Sequence, residues 1–243
     1  MNKEISAIFF DLGDTLLDMS IISRALSFGF KRATSGELVT DEFVLRWGGE
    51  WNRVFDHYFK KGEFYTVRRL QLVSLKNVLV EEGINISDRE LNDAVVGFWQ
   101  YFIENCNLHD DVLPTLSRLI QDKYKLGLIT NSDEVDVSGI LEKHKKHNLD
   151  EVFKMNVISS ALKRYKPDLL LFQRALELSK CLPREVIYVG DSLTDIYGAK
   201  KLDMNTVLID RKKVEGSLMK VEPDFRIDNL KQIHSIIDEV SIQ

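Results

Sequence analysis

Ile8-Phe9-Phe10-Asp11-Leu12-Gly13-Asp14-Thr15-Leu16-Leu17 is the stretch on which the reading of the whole chain turns. Its opening, with Ala7 before it, is short and wholly apolar, which suits a strand buried on both faces better than one half exposed. The strand runs straight into Asp11. A carboxylate at the carboxyl end of a buried strand, followed by a turn at Gly13, stands where open α/β sheets place their ligands. Ionised and buried, it needs a cation, N–H donors or both, so a metal and a phosphate-like substrate fit beside it. On this stretch alone the plainer reading, a strand end whose Asp caps a turn, stays open.

Beyond Leu17 the pattern turns helical and stays so through Asn107. Leu70, Val73, Leu75, Val78 and Leu79 recur near helical spacing with charges between them. Gly62 and Gly83 break the run, and Ser87 with Glu90 three residues later has the form of a capping box. The second half alternates. Helical stretches at 114–122, 168–180, 194–202 and around Leu230–Val240 are interleaved with apolar strands at 125–130, 156–158, 185–189, 206–209 and a short edge strand at 225–227. Strands alternating with helices of this length predict βαβ units, a parallel sheet and right-handed crossovers. The expectation is an α/β core, residues 1–17 and 108–243, with an all-helical cap, 18–107, inserted after the first strand and hanging over the strand ends.

Composition narrows the function. The chain has 243 residues, 44% hydrophobic and 29% charged, with a formal net charge of −5. There is no basic stripe for nucleic acid, and no apolar run approaches the length of a membrane span. Small anionic substrates remain open if the site supplies local positive charge. Cys106 and Cys181 stand far apart with no CxxC pair, which predicts reduced, buried thiols. The N-terminal residues lack an apolar signal segment, so a cytoplasmic protein is expected.

Three apolar strands end in a functional side chain: Asp11 after the first, Thr130 after the strand at 125–130, and Asp191 after the strand at 185–189. In a parallel sheet such ends lie side by side, so residues distant in sequence converge on one crevice. Asp195 follows Asp191 at i+4. Carboxylates so close raise one another's pKa unless a cation neutralises them, and hard oxygen ligands favour Mg²⁺. Lys166, held before a helix by Pro167 in its first turn, could offset a bound phosphoryl group. Singly each has a duller role: Asp191 an N-cap, Asp195 a solvated helix residue, Lys166 an exposed turn, Thr130 a strand former.

As an ordered set, Phe-Phe-Asp11-Leu-Gly-Asp-Thr15-Leu, Leu-Ile-Thr130-Asn131, Lys166-Pro167-Asp168 and Val-Gly-Asp191-Ser-Leu-Thr-Asp195 resemble the four motifs of the haloacid dehalogenase-like hydrolases. The resemblance implies a Rossmann-like parallel-sheet core with a mobile helical cap, hydrolysing a small phosphorylated metabolite through an aspartyl-phosphate. It implies that Asp11 is the nucleophile and that Asp11, the Gly13 carbonyl, Asp191 and Asp195 hold or support Mg²⁺. Thr130 would hydrogen-bond the phosphoryl oxygens and Lys166 would offset their charge. Leu12, Gly13 and Asn131 are the expected substrate contacts. A monomer or homodimer is expected, without nucleic acid or membrane partners.

One position departs from the family pattern. The acid usually found two residues after the nucleophile is Gly13 here, and Asp14 comes one step later. General acid–base help is worth about 10²–10⁴ in rate. Asp14 takes that role through an altered turn, or water or a substrate group does, or the enzyme prefers good leaving groups; on an extended segment Asp14 would point away. Three alternatives stay open: a metal-independent 2-haloacid dehalogenase, a phosphate-binding protein without turnover, and a phosphomutase. In the cap, Trp47, Trp51, Phe55 and Tyr58 form an aromatic stripe near Arg53 and Arg68-Arg69, either a substrate wall or the cap's own core, with a loop conceivable at Gly48-Gly49.

Overall fold

The computed structural model describes residues 5–33, 39–211 and 221–242. In chain order the first elements are β1 (Ala7–Phe10), α1 (Ile22–Ala33), α2 (Asp41–Lys61), α3 (Val67–Glu81) and α4 (Asp88–Asn105). Next come α5 (Val112–Gln121), β2 (Lys125–Thr130), α6 (Glu134–Lys143), α7 (Leu149–Val152), β3 (Met155–Ile158), α8 (Ser159–Leu162) and α9 (Leu169–Ser179). Then follow β4 (Val186–Gly190), α10 (Leu193–Lys200), β5 (Asn205–Ile209), β6 (Phe225–Ile227) and α11 (Ile233–Ile242). These elements form two compact units.

The first unit takes the residues up to Asp18, Asn107–Asn131 and those from His144 onward. Among the described residues its sheet has six strands in the order β3-β2-β1-β4-β5-β6. Every pairing is parallel. This is the α/β, Rossmann-like arrangement that the alternation predicts. The central strand is β1, whose four residues are all fully buried, as its unbroken apolar run requires. Phe10 sits level with Leu128 of β2 on one side and Val189 of β4 on the other. The carboxyl ends of β2, β1 and β4 therefore lie next to one another, which is what brings Thr130, Asp11 and Asp191 to one edge.

The second unit is helical: Met19–Cys106 together with Ser132–Lys143. The four long helices follow local signals. Thr40 caps α2 by accepting the Phe43 N–H, and Ser87 and Glu90 form the expected capping box on α4. Helices α1 and α4 approach so closely that a Cβ on Gly29 would stand 2.2 Å from the Ala94 carbonyl oxygen. One local expectation is corrected, and one left open is decided. Gly48 and Gly49 lie inside α2 rather than in a loop, because the buried stripe Phe43, Trp47, Glu50 and Val54 outweighs the helix cost of glycine, about 1 kcal/mol each. Trp47 is buried, with its indole N–H donated to the Ser74 hydroxyl at 2.9 Å, so it belongs to the unit's own interior.

Segment Ser132–Lys143, expected with the sheet, groups instead with the helices. Asp133 accepts the N–H groups of Val67 and Arg68 at the start of α3, at 3.0 and 3.1 Å. Asp136, fully buried, pairs with the Arg68 guanidinium at 2.5 Å. Desolvation raises the Asp136 carboxyl and Arg68 opposes that rise. Among the described residues no helix is long and apolar enough to cross a membrane.

Candidate active site

The site is built around Lys166. Its ammonium group is buried and lies 2.5 Å from Asp11 Oδ1, 2.6 Å from Asp195 Oδ1 and 3.1 Å from the Ile129 carbonyl oxygen. The Tyr188 hydroxyl, 3.2 Å away, completes its surroundings. Burial alone would depress the lysine, but Asp11 and Asp195 outweigh it and hold the ammonium protonated. Pro167 does not stand in the first turn of α9 as expected: Asp168 is the N-cap, accepting the Leu170 N–H, and the helix starts at Leu169. The turn before it is fixed from the residue after β2, where Asn131 Oδ1 accepts the Lys166 N–H at 2.8 Å. Asn131, expected at the substrate, thus has its carbonyl committed to holding the lysine.

Asp11 follows β1 directly, its N–H donated to the Val189 carbonyl at 2.9 Å. Its carboxyl is pushed up to about 6, first by burial, against Lys166, and further by Asp195. Asp11, Asp191 and Asp195 bring a carboxylate oxygen each to within 4.8 Å of one another. Asp191 reaches solvent at the rim. Partial dehydration and then the charges of Asp11 and Asp195 hold it well above the usual carboxylate range. Three hard oxygen donors whose mutual repulsion is only partly met by one lysine fit a divalent cation of the Mg²⁺ kind.

Asp195 is the most constrained of the three. Its Oδ1 faces Lys166 and the Tyr188 hydroxyl, 2.7 Å away, while its Oδ2 accepts the Ser192 hydroxyl at 2.6 Å and the Ser192 N–H at 3.1 Å. Ser192 and Asp195 thereby form the capping box of α10. That inward turn is possible only because residue 190 is glycine: a Cβ there would stand 2.4 Å from the Asp195 carboxyl carbon. Asp195 is placed to position Lys166 and to add negative charge behind the Asp11/Asp191 pair.

The loop after Asp11 is a turn, not an extended segment. Leu12 O accepts the N–H groups of Leu16 and Leu17, and Gly13 O accepts the Thr15 N–H at 2.6 Å. Asp14 is left-handed, with φ 51°. Its charge is felt at Asp191, as the weakest of the influences that raise it. Thr130 is buried at the end of β2.

Sequence reading missed Tyr188, Gly190, Arg211 and Asp111. A tyrosine in an otherwise aliphatic, fully buried strand was the available signal for Tyr188, since a buried hydroxyl needs a partner.

A carboxylate and a lysine paired at the carboxyl edge of a doubly wound parallel sheet define an α/β enzyme cleft of Rossmann-like topology. Residues 8–209 match the family model of haloacid dehalogenase-like hydrolases, and the chain belongs to that family. It is 27% identical over 253 residues to a glyceraldehyde 3-phosphate phosphatase of Methanopyrus kandleri, covering 98% of this chain and 99% of that one. Among solved structures, Bacillus subtilis YfnB, bound to magnesium, superposes with a TM-score of 0.77 at 18% identity, covering 97% of this chain and 99% of that one. The L-2-haloacid dehalogenase of Xanthobacter autotrophicus gives 0.75 at 18% identity, covering 96% and 98%.

Proposed function

We propose that this protein is a Mg²⁺-dependent phosphatase of a small phosphorylated metabolite, acting in the cytoplasm through an aspartyl-phosphate. The observation that carries the reading is the cluster of Asp11, Asp191 and Asp195 within 4.8 Å around one buried lysine. Metal-free displacement at a carbon–halogen bond has no use for Asp191 or its raised carboxyl. A phosphoryl group and its cation do.

Asp11, the Gly13 carbonyl and Asp191 would hold Mg²⁺, with Asp195 supporting from behind. Bound there, the metal would neutralise phosphoryl charge and fix the group in line with Asp11. The carboxylate of Asp11 attacks phosphorus, an O–P bond forms to Asp11, and the bond to the substrate oxygen breaks. Water then attacks the same phosphorus, releasing inorganic phosphate and the free carboxylate. Lys166 holds Asp11 in a single rotamer and offsets the charge of the transferring group, and Thr130 and the N–H groups of the loop offer donors to its oxygens. Leu12 and Asn131 keep the walls of that cradle in place.

The test is release of phosphate from p-nitrophenyl phosphate and glyceraldehyde 3-phosphate, with Mg²⁺ and with chelator, on wild type beside Asp11→Asn. Release that needs both the metal and Asp11 supports the reading. Equal rates in Asp11→Asn, or metal-independent halide release from 2-chloropropionate in place of phosphate release, would overturn it.

A further inference from the structure

At the loop that follows Asp11, one guanidinium gathers three distant segments. Arg211 lies just past β5 with its side chain 12% exposed. Its Nε stands 3.1 Å from the Asp14 carbonyl oxygen and 3.2 Å from that of Thr15, and its Nη2 is 2.7 Å from the Thr15 oxygen. The other edge of the fork meets the Asp111 carboxylate, Nη1 to Oδ2 at 2.9 Å and Nη2 to Oδ1 at 3.0 Å. Asp111, buried at the start of α5, also accepts the Leu230 N–H at 2.6 Å. Against the desolvation of its site, these bonds hold Asp111 below the ordinary carboxylate range.

The carbonyls that Arg211 grips are informative. The Asp14 C=O and the Thr15 N–H belong to one planar trans peptide and so point in opposite directions. The oxygen faces Arg211, and the N–H is donated to Gly13 O at 2.6 Å. One rigid plane thus links the guanidinium to the Gly13 carbonyl. It does so at Asp14, the left-handed residue of the loop, where the backbone has most reason to relax.

We infer that Arg211, braced by Asp111, is a positioning residue that sets the Gly13 carbonyl for metal binding beside Asp11. This rests on reading the cleft as metal-assisted. Loss of an outer-shell partner of a metal site lowers metal affinity about 10- to 100-fold. The sign is diagnostic. In Arg211→Met, removing a cation from the neighbourhood of a metal site would by Coulomb's law alone tighten Mg²⁺, and in the double variant the net charge is unchanged, so in either a weaker site reports lost geometry.

The experiment is calorimetric titration of Mg²⁺ or Mn²⁺ into the full chain, without substrate, for wild type, Arg211→Lys, Arg211→Met and the double variant Arg211→Met/Asp111→Leu. The double variant leaves no unpaired buried charge, so it stays informative if Arg211→Met fails to fold. A 10- to 100-fold loss in the double variant with its unfolding midpoint kept, and a partial loss in Arg211→Lys, is the expected result. Wild-type or tighter metal binding in the folded variants overturns the brace. A wild type that binds Mg²⁺ but hydrolyses no phosphomonoester overturns the phosphatase reading alone and leaves the brace to be judged by the same titrations.

Discussion

Replacing Lys166 by Met is the sharpest perturbation of this site. The ammonium is buried and touches two carboxylates at 2.5 and 2.6 Å. Removing one partner of a buried ion pair costs about 3–5 kcal/mol, because the remaining charge is stranded. The size depends on pH, and the direction follows from Asp11. In the metal-free wild type, Asp11 is raised from 3.8 to about 6, so its ionisation already works against folding. At 1.36 kcal/mol per unit that is roughly 3 kcal/mol, absent below about pH 3 and fully felt above about pH 7. Without Lys166 the carboxyl rises further, and the cost extends to higher pH. Lys166 itself, raised above its ordinary value, stays charged throughout this range. Urea unfolding in chelator at pH 5 and pH 8 reads the effect: Lys166→Met is expected to lose about 3–5 kcal/mol at pH 8 and clearly less at pH 5, where Asp11 can take up a proton. A loss below about 1 kcal/mol at pH 8, or the same loss at both, would refute the view of Lys166 as the neutralising centre.

Other outcomes follow from the same geometry. Mg²⁺ affinity is expected to rise with pH, since a proton on Asp191, held above the usual carboxylate range, competes with the cation; Asp191→Asn should weaken binding and flatten that dependence in calorimetry. Tyr188→Phe removes one hydroxyl from beside Asp195 and Lys166 in a strand that keeps its ring, so kcat is expected to fall with KM little changed and the fold retained; unchanged kinetics would make the hydroxyl a bystander. In the helical unit, Arg68→Ala strands the fully buried Asp136 and is expected to cost about 3 kcal/mol or more in urea unfolding. A loss no larger than that of an exposed pair such as Arg226–Glu222 would show that Asp136 is neutral in the native protein.

The strands and their parallel arrangement were legible because each buried strand is a short apolar run, and the alternation with helices leaves a parallel sheet as the economical solution. Asp11, Thr130 and Asp191 could be placed together for the same reason. What the sequence did not reveal depends on contacts across the sheet. Asp195 is legible as a companion of Asp191, but the room that Gly190 leaves for its inward turn is not. Arg211 reads as one more surface charge, since nothing local tells that its partners lie at Asp14, Thr15 and Asp111. Gly48-Gly49 misled in the opposite direction, because local propensity yielded to the burial of the α2 stripe. Ser132–Lys143 misled likewise: its allegiance to the helical unit is written in Asp133 and Asp136, whose partners are on α3.

The turn at Gly13-Asp14 bears most on the chemistry. Asp14 occupies the left-handed position, which Asp, Asn or Gly fill at little cost, while Gly13 is not among the described glycines with positive φ. The carboxyl therefore stands at the residue that shapes the turn, and its neighbour, which would share a face with Asp11 on an extended chain, carries no side chain. For the proposed reaction the groups that would attack phosphorus are in place: Asp11 as the proposed nucleophile, a lysine holding it, and carboxylates fit for a cation. The group that would protonate the departing oxygen is not built into position 13. In the proposed reaction the first step is therefore the one sensitive to the leaving group. An aryl phosphate needs no acid, whereas a sugar or glycerol phosphate must find its proton in Asp14 across the turn, in water, or in its own hydroxyls, a difference worth about 10²–10⁴ in rate. The natural substrate is accordingly to be sought first among phosphates whose leaving oxygen is acidic or has a hydroxyl of its own close by.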